Sequence, residues 1–173
     1  MNRTPAAIRI LTRQDVEACR RLRLAGLAES PQSFGASVEE EARLSDDEIE
    51  MRVAPPPPGA MFGAFAGREL VGMAGYVPNQ RIKMRHKATM VAVYVVPQWR
   101  GSGSGRALVE AVMEHARGLG VILQCTVAAH NQPARRLYRK LGFQPYGLER
   151  DALLIDGQYF DEELLAIDLR PGR

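Results

Sequence analysis

At 173 residues, with 46% hydrophobic, 25% charged and 6% aromatic residues, the chain is long enough to bury a core unaided and lies outside the composition of disordered, collagenous or coiled-coil sequences. A formal net charge of +3, with arginine scattered and no dense basic block, suits an anionic ligand better than a nucleic-acid surface. Cys19 and Cys125 stand far apart in segments that read as buried, which argues for reduced thiols in a reducing cytoplasm, and no apolar run nears the about 20 residues that span a bilayer.

Ile8 to Leu11 reads as a first strand. Thr12 with Asp15 three residues on resembles a capping box and predicts a helix, whose Val16, Cys19, Leu24 and Leu27 share one face. Ser30 to Gly35 is turn-rich, and Val38 to Val53 reads as helical. Pro55 to Pro58 forces a stiff polyproline II spacer. Because the residues before it lack a core of their own, the chain reads as one domain over 1–173, with its core over about 8–169.

Met61 to Ala66 and Glu69 to Val77 predict a hairpin turning at Gly67-Arg68. Asn79 to Lys87 is a polar, basic loop. His86 to Val96 is the longest strand candidate, with Val91, Val93 and Val95 on one face and Ala92, Tyr94 and Val96 on the other, so it belongs at the centre of a sheet covered on both sides. A helix follows, with Leu108, Ala111, Val112, His115 and Leu119 on one face and Gly118 and Gly120 at its end. Val121 to Val127 is another buried strand. Asn131 opens a second helix with Ala134, Leu137, Tyr138 and Leu141 on one face and Arg135, Arg136, Arg139 and Lys140 opposite; Gly142 stops it. Phe143 to Arg150 and Tyr159 to Leu169 close the sheet antiparallel about Asp156-Gly157.

The glycine turn between the long strand and its helix carries the chemistry. An apolar strand breaking at Pro97, then glycines and serines, then a helix N-terminus is a backbone-lined anion site. Gly105 is followed by Arg106-Ala107 and not by Lys-Ser/Thr, which excludes a P-loop, and Arg106 stands where a dinucleotide fingerprint needs its third glycine. Backbone N–H groups from Arg100 to Arg106, through Gly101, Ser102, Gly103, Ser104 and Gly105, are placed to converge on a pyrophosphate at the positive end of the helix dipole. Arg106 either serves that anion or points to solvent.

Arg100, Gly103 and Gly105 form Arg-x-x-Gly-x-Gly, and Asn131, Ala134, Leu137, Tyr138, Gly142 and Phe143 form Asn-x-x-Ala-x-x-Leu-Tyr-x-x-x-Gly-Phe. On these two blocks the chain resembles the Gcn5-related N-acetyltransferase (GNAT) superfamily. The resemblance covers Ile8 to Leu169 and is weakest between Ser30 and Met61. It implies an α/β (α+β) fold: a central mixed, mostly antiparallel twisted sheet of about seven strands, with helices on both faces and a splayed strand pair that admits acetyl-CoA. It further implies that Val93, Tyr94 and Val95 offer backbone groups to the pantetheine arm, that Asn131 and Ala134 lie along it, and that Tyr138 is the general acid for the departing thiolate. Asn131 is equally an N-cap, and Tyr138 equally a core tyrosine.

The resemblance leaves the base open. Several relatives place a glutamate five residues before the Asn; here that position is Thr126, which cannot serve. Glu149, His86, His130, Asp161 and Glu162 remain. The histidine spacing gives no metal signature, and buried Cys19 and Cys125 argue against a covalent acyl-enzyme. The expected activity is acetyl-CoA-dependent acetyl transfer directly to an amine of a small molecule or protein, with no nucleic-acid or membrane partner; a homodimer stays open. The alternative is a non-catalytic sensor of CoA or acetyl-CoA. Substrate choice is expected in Ser30–Pro58, Asn79–Lys87 and Gly147–Asp161, with Asp151, Asp156, Asp161 and Glu162 drawing a cationic amine.

Overall fold

The computed structural model describes residues 6–172. Seven strands, β1 (Ala7–Ile10), β2 (Ala60–Ala66), β3 (Glu69–Pro78), β4 (Lys87–Val95), β5 (Ile122–Ala128), β6 (Gln144–Ile155) and β7 (Gln158–Asp168), form one sheet in the order β1-β2-β3-β4-β5-β7-β6. Every neighbouring pair is antiparallel except β4 with β5. Helices α4 (Ser104–Leu119) and α5 (Gln132–Lys140) cover one face, and α1 (Val16–Glu29) and α3 (Asp46–Val53) the other, each over its own apolar cluster. This is the mixed, mostly antiparallel arrangement expected from the sequence.

The parallel pair is short. Lys87, Ala88 and Thr89 pair with Ile122, Leu123 and Gln124, and there the ladder stops. The cause is a bulge: between Met73 and Gly75 of β3, β4 spends one more residue than its partner, and Ala92 takes φ 55°. A bulge bends its strand and raises its twist, turning β4 away from β5 where the cleft opens. It also corrects the expected alternation. Ala88 and Met90, then Val93 and Val95, all face the α4 side, whereas Ala92 and Tyr94 face α1.

The N-terminal signals fold as read. Asp15 accepts hydrogen bonds from Thr12 N at 2.8 Å and Thr12 Oγ1 at 3.1 Å, and a single 3-10 turn leads into α1. Arg9 grips Asp15 with both terminal nitrogens, at 2.8 and 2.7 Å. The buried face of α1 comprises Cys19, Leu22, Gly26 and Leu27; Leu24 is only half-buried. Gly26 lets the helix lie against Tyr94, since a Cβ there would meet that ring at 3.2 Å.

The single helix expected over Val38–Val53 is two, α2 (Val38–Ala42) and α3. Each opens with its own capping box, Ser37 with Glu40 and Ser45 with Glu48. The second box restarts the helix where a continuous one would leave the Ser45 side chain competing with its own backbone. The proline spacer ends at a turn whose Pro58 carbonyl lies 2.8 Å from His115 Nε2 of α4. In α4 the buried stripe runs through Leu108, Val112 and Ala116, flanked by Val109 and Met113. The expected Ala111 and His115 sit half-buried on the opposite flank, which leaves Leu119, four residues beyond His115, 44% exposed. Gly120, at φ 61°, ends the helix; Gly118 lies within it. Strand β6 continues past Arg150 to the Asp156-Gly157 turn.

The basic face of α5 is not simply solvated. Glu163 of β7, 8% exposed, accepts from Arg135 at 3.0 and 3.2 Å and from Arg139 at 2.7 Å. Arg135 holds its carboxyl below the usual range despite burial, with help from Arg139. Replacing Glu163 by Ala leaves Arg135 without its carboxylate and is expected to cost about 2 kcal/mol in chemical denaturation at neutral pH. Because the folded-state pKa is depressed, this contribution is complete above the unfolded value of about 4.3 and drains away as pH falls through the folded one, so wild type and variant converge in acid.

Candidate active site

The anion loop is built by Pro97–Trp99, a 3-10 turn, then Gly101 at φ 76° and Gly103 at φ 89°, the latter capping α4. Both glycines occupy the left-handed region where a Cβ is strained. Among the described residues, the N–H groups of Gly101, Gly103, Gly105 and Arg106 have no protein acceptor, while those of Arg100, Ser102, Ser104 and Ala107 are used within the loop. The expected continuous row is therefore an interrupted set of free donors beside the positive end of a 16-residue helix, which fits a pyrophosphate. A Cβ on Gly101 would meet nothing within 4 Å, so the loop faces open space.

The side chains around the loop hold it in place. Ser104 is fully buried; its Oγ accepts from Ala6 N at 3.2 Å and lies 2.7 Å from Ser102 Oγ. Arg100 donates from Nε to the Val95 carbonyl at 3.0 Å and makes a two-point bond to Glu29 at 3.1 and 2.6 Å. Its guanidinium thus ties the loop to the end of α1 and occupies the Val95 carbonyl. Arg106 pairs with Glu110 one turn on, at 2.9 Å, and is exposed. Glu29 carried no motif and was invisible in the sequence.

From the cleft between β4 and β5 a cavity of about 750 Å³ extends toward α1 and α3. Val93, Asn131, Ala134 and Tyr138 line it; Tyr94 and Val95 do not, being turned to the core and engaged along β3. Asn131 caps α5, its Oδ1 accepting from Ala134 N at 3.2 Å. Tyr138 is 5% exposed, its ring 5.7 Å from Phe143, and its hydroxyl carries no hydrogen bond among the described residues. Burial pushes its pKa well above the ordinary tyrosine value, with Cys125 adding to the shift. The phenol is therefore a neutral proton donor at physiological pH.

Of the base candidates, Glu162 is the one that lines the cavity. It stands on β7 opposite Ala128. Burial raises its pKa, the Thr126 hydroxyl pulls it partly back, and the Glu149 carboxylate pushes it up again. Thr126, which cannot itself act as a base, thus stands beside a carboxylate from the neighbouring strand. Asp161 instead accepts from Asp151 N at 2.9 Å, His130 lies against Phe160 at 5.7 Å between ring centres, and His86 is exposed at the start of β4. Asp151 and Asp156 are exposed on the hairpin and outside the cavity. The acidic surface expected to draw an amine is reduced to Glu162.

Cys19 and Cys125 both reach the cavity wall as free thiols, but burial pushes each up to about 12. A thiol held neutral in this way is a poor nucleophile. No cluster among the described residues has the donors for a metal ion, and no helix among them is long and apolar enough to cross a membrane.

Comparison with known proteins identifies the family of the chain that carries this loop, cleft and buried phenol. Residues 24–143 match the acetyltransferase (GNAT) family. The chain is 30% identical to the N-alpha-acetyltransferase RimI of Mycobacterium tuberculosis over 164 residues, covering 88% of this chain and 87% of that protein. It is 31% identical over 85 residues to the putative phosphinothricin acetyltransferase YwnH of Bacillus subtilis, covering 49% of this chain and about half of the relative, 52%. The structure of yncA, a putative acetyltransferase from Salmonella typhimurium solved with its cofactor acetyl-CoA, superposes at a TM-score of 0.83 over 97% of this chain and 96% of that one; at 18% identity this is a likeness of fold. The family match takes in β4, the glycine loop, β5 and α5, the elements that build the site, and the chain belongs to the acetyltransferase (GNAT) family.

Proposed function

We propose that the protein is an acetyl-CoA-dependent N-acetyltransferase that moves the acetyl group directly to a primary amine. The observation that carries this is the pairing, across one cavity, of a neutral phenol at Tyr138 with a raised-pKa carboxyl at Glu162. Burial raises both pKa values, which keeps the phenol protonated and makes the carboxylate a stronger base, a combination that suits acid–base work in one cavity. Bound acetyl-CoA supplies an activated thioester, on which a new N–C bond forms as the C–S bond breaks.

Each residue then has a defined task. The free N–H groups of Gly101, Gly103, Gly105 and Arg106 hold the pyrophosphate. Val93, on the opened edge of β4, and Asn131 and Ala134, at the start of α5, flank the arm. An amine with a pKa near 10.4 is almost wholly protonated at neutral pH; Glu162 takes its proton, with Thr126 steadying the carboxylate. Tyr138 gives a proton to the leaving sulfur, whose conjugate thiol has a pKa of about 8.5, and the second proton shed by the acylated nitrogen restores the phenol. The high pKa values of Cys19 and Cys125 favour direct transfer over an acyl-enzyme. The names N-alpha-acetyltransferase and phosphinothricin acetyltransferase borne by RimI and YwnH point to different amines, and both peptides and small molecules belong in the assay.

The test follows free CoA thiol released from acetyl-CoA against a panel of amines and peptides, alongside thermal unfolding. Acetyl-CoA at 100 times its dissociation constant stabilises the native state by about 2.7 kcal/mol and is expected to raise the Tm accordingly. An unmoved Tm at millimolar ligand would remove the cofactor assignment. A clear Tm rise with no thiol release on any amine would favour a sensor that binds acetyl-CoA without transferring the acetyl group.

A further inference from the structure

The wall of the cavity contributed by α1, α2 and α3 is cationic. Arg20 and Arg23 of α1 and Arg52 of α3 line it, together with Glu41 of α2. Glu41 is 2% exposed and shared: its Oε2 lies 2.8 Å from both Arg23 Nε and Arg52 Nη1. One carboxylate between two guanidiniums leaves a positive charge over. Arg20 adds to it, since its partner Asp46 stands 3.4 Å away with a side chain 96% exposed.

Arg23 is the least satisfied of the three. Its side chain is only 18% exposed, and its buried Nε, though close to Glu41, is not aligned to donate a hydrogen bond. No other described residue accepts from its terminal nitrogens. A desolvated guanidinium fork with free donors on a cavity wall is suited to a planar anion. Glu41, 2% exposed and already held between Arg23 and Arg52, balances only one of the two guanidinium charges beside it.

Resting on the N-acetyltransferase reading, we infer that the acceptor is a small primary amine that carries a carboxylate, an amino-acid-type molecule whose anionic group is received by Arg23 with Arg20 and Arg52 while its amine lies toward Glu162. A protein N-terminus fits less well, because the peptide bond replaces this carboxylate by a neutral amide and leaves the guanidinium cluster without a partner.

The test compares each standard L-amino acid with its amide, its decarboxylated amine and a peptide beginning with the same residue. The free acids are expected to exceed their amides in kcat/KM by about 10- to 100-fold. Arg23→Gln is expected to erase that ratio by lowering the rate with acids alone. Equal or faster turnover of amides or peptides, or equal loss of both by Arg23→Gln, overturns the assignment. The ratio is internal, so partial unfolding does not imitate the result, and Arg20→Gln, at a half-buried position on the same wall, supplies a second reading. If no compound is acetylated, calorimetry on the CoA-saturated protein decides: binding of acids but not amides keeps the anion site while the transfer reading fails, and binding of neither overturns the site.

Discussion

Tyr138→Phe lowers kcat by about 100- to 1,000-fold and leaves acetyl-CoA affinity nearly unchanged. The substitution removes one hydroxyl and keeps the ring that packs 5.7 Å from Phe143. That hydroxyl has no hydrogen bond among the described residues, so nothing in the fold loses a partner. Burial holds the phenol neutral, which is the state needed to protonate a sulfur leaving a thioester. Single-turnover thiol release gives kcat, and calorimetry with acetyl-CoA gives affinity. An unchanged kcat, or a loss that follows affinity, would return Tyr138 to the role of a core residue.

Glu162→Gln lowers kcat/KM by about 100-fold near neutral pH, and the deficit shrinks in alkali, where the amine gives up its proton without help. The pH profile carries the sharper sign. Burial raises the Glu162 pKa, and the base works ionised, so the wild-type rate falls as pH drops through that raised value, earlier than for an exposed glutamate near 4.3. Stability moves the other way. A carboxyl whose folded pKa is raised weakens the folded state above that pKa, so Glu162→Gln is expected to melt no lower than wild type at neutral pH, and slightly higher. Loss of rate together with loss of Tm would mark Glu162 as structural.

What the sequence revealed divides along physical lines. Features built by neighbours in the chain were readable: the capping box at Thr12 and Asp15, the glycine loop, and Asn131 at the head of α5 each depend on residues within a few positions. The doubled Ser-x-x-Glu at Ser37 and Ser45 was equally local, and it explains why one expected helix is two. Features that depend on strand register were hidden. Nothing in the one-dimensional order says that Thr126 lies beside Glu162, because that meeting requires β7 to pair with β5 in one particular alignment. Nor does helical periodicity show that Arg23, in the same row as Cys19 and Leu27, meets Glu41 of another helix. The sequence offers the Arg100 backbone N–H to the phosphates, and only the fold shows that the Pro97 carbonyl takes that N–H while Glu29, at the end of α1, claims the guanidinium.

The extra residue in β4 acts as a frameshift in three dimensions. Before Ala92 the even-numbered side chains belong to the α4 layer; after it the odd-numbered ones do. A substitution at Ala92 changes one side chain, whereas deleting it would remove the bulge and restore plain alternation, with Val93 and Val95 still toward α4 and Tyr94 still toward α1. The same deletion would let β4 keep step with β5 and zip the cleft shut. Length at this point of the chain, more than identity, keeps the two strands apart, and a one-residue deletion here acts on the cleft while leaving both apolar layers in place.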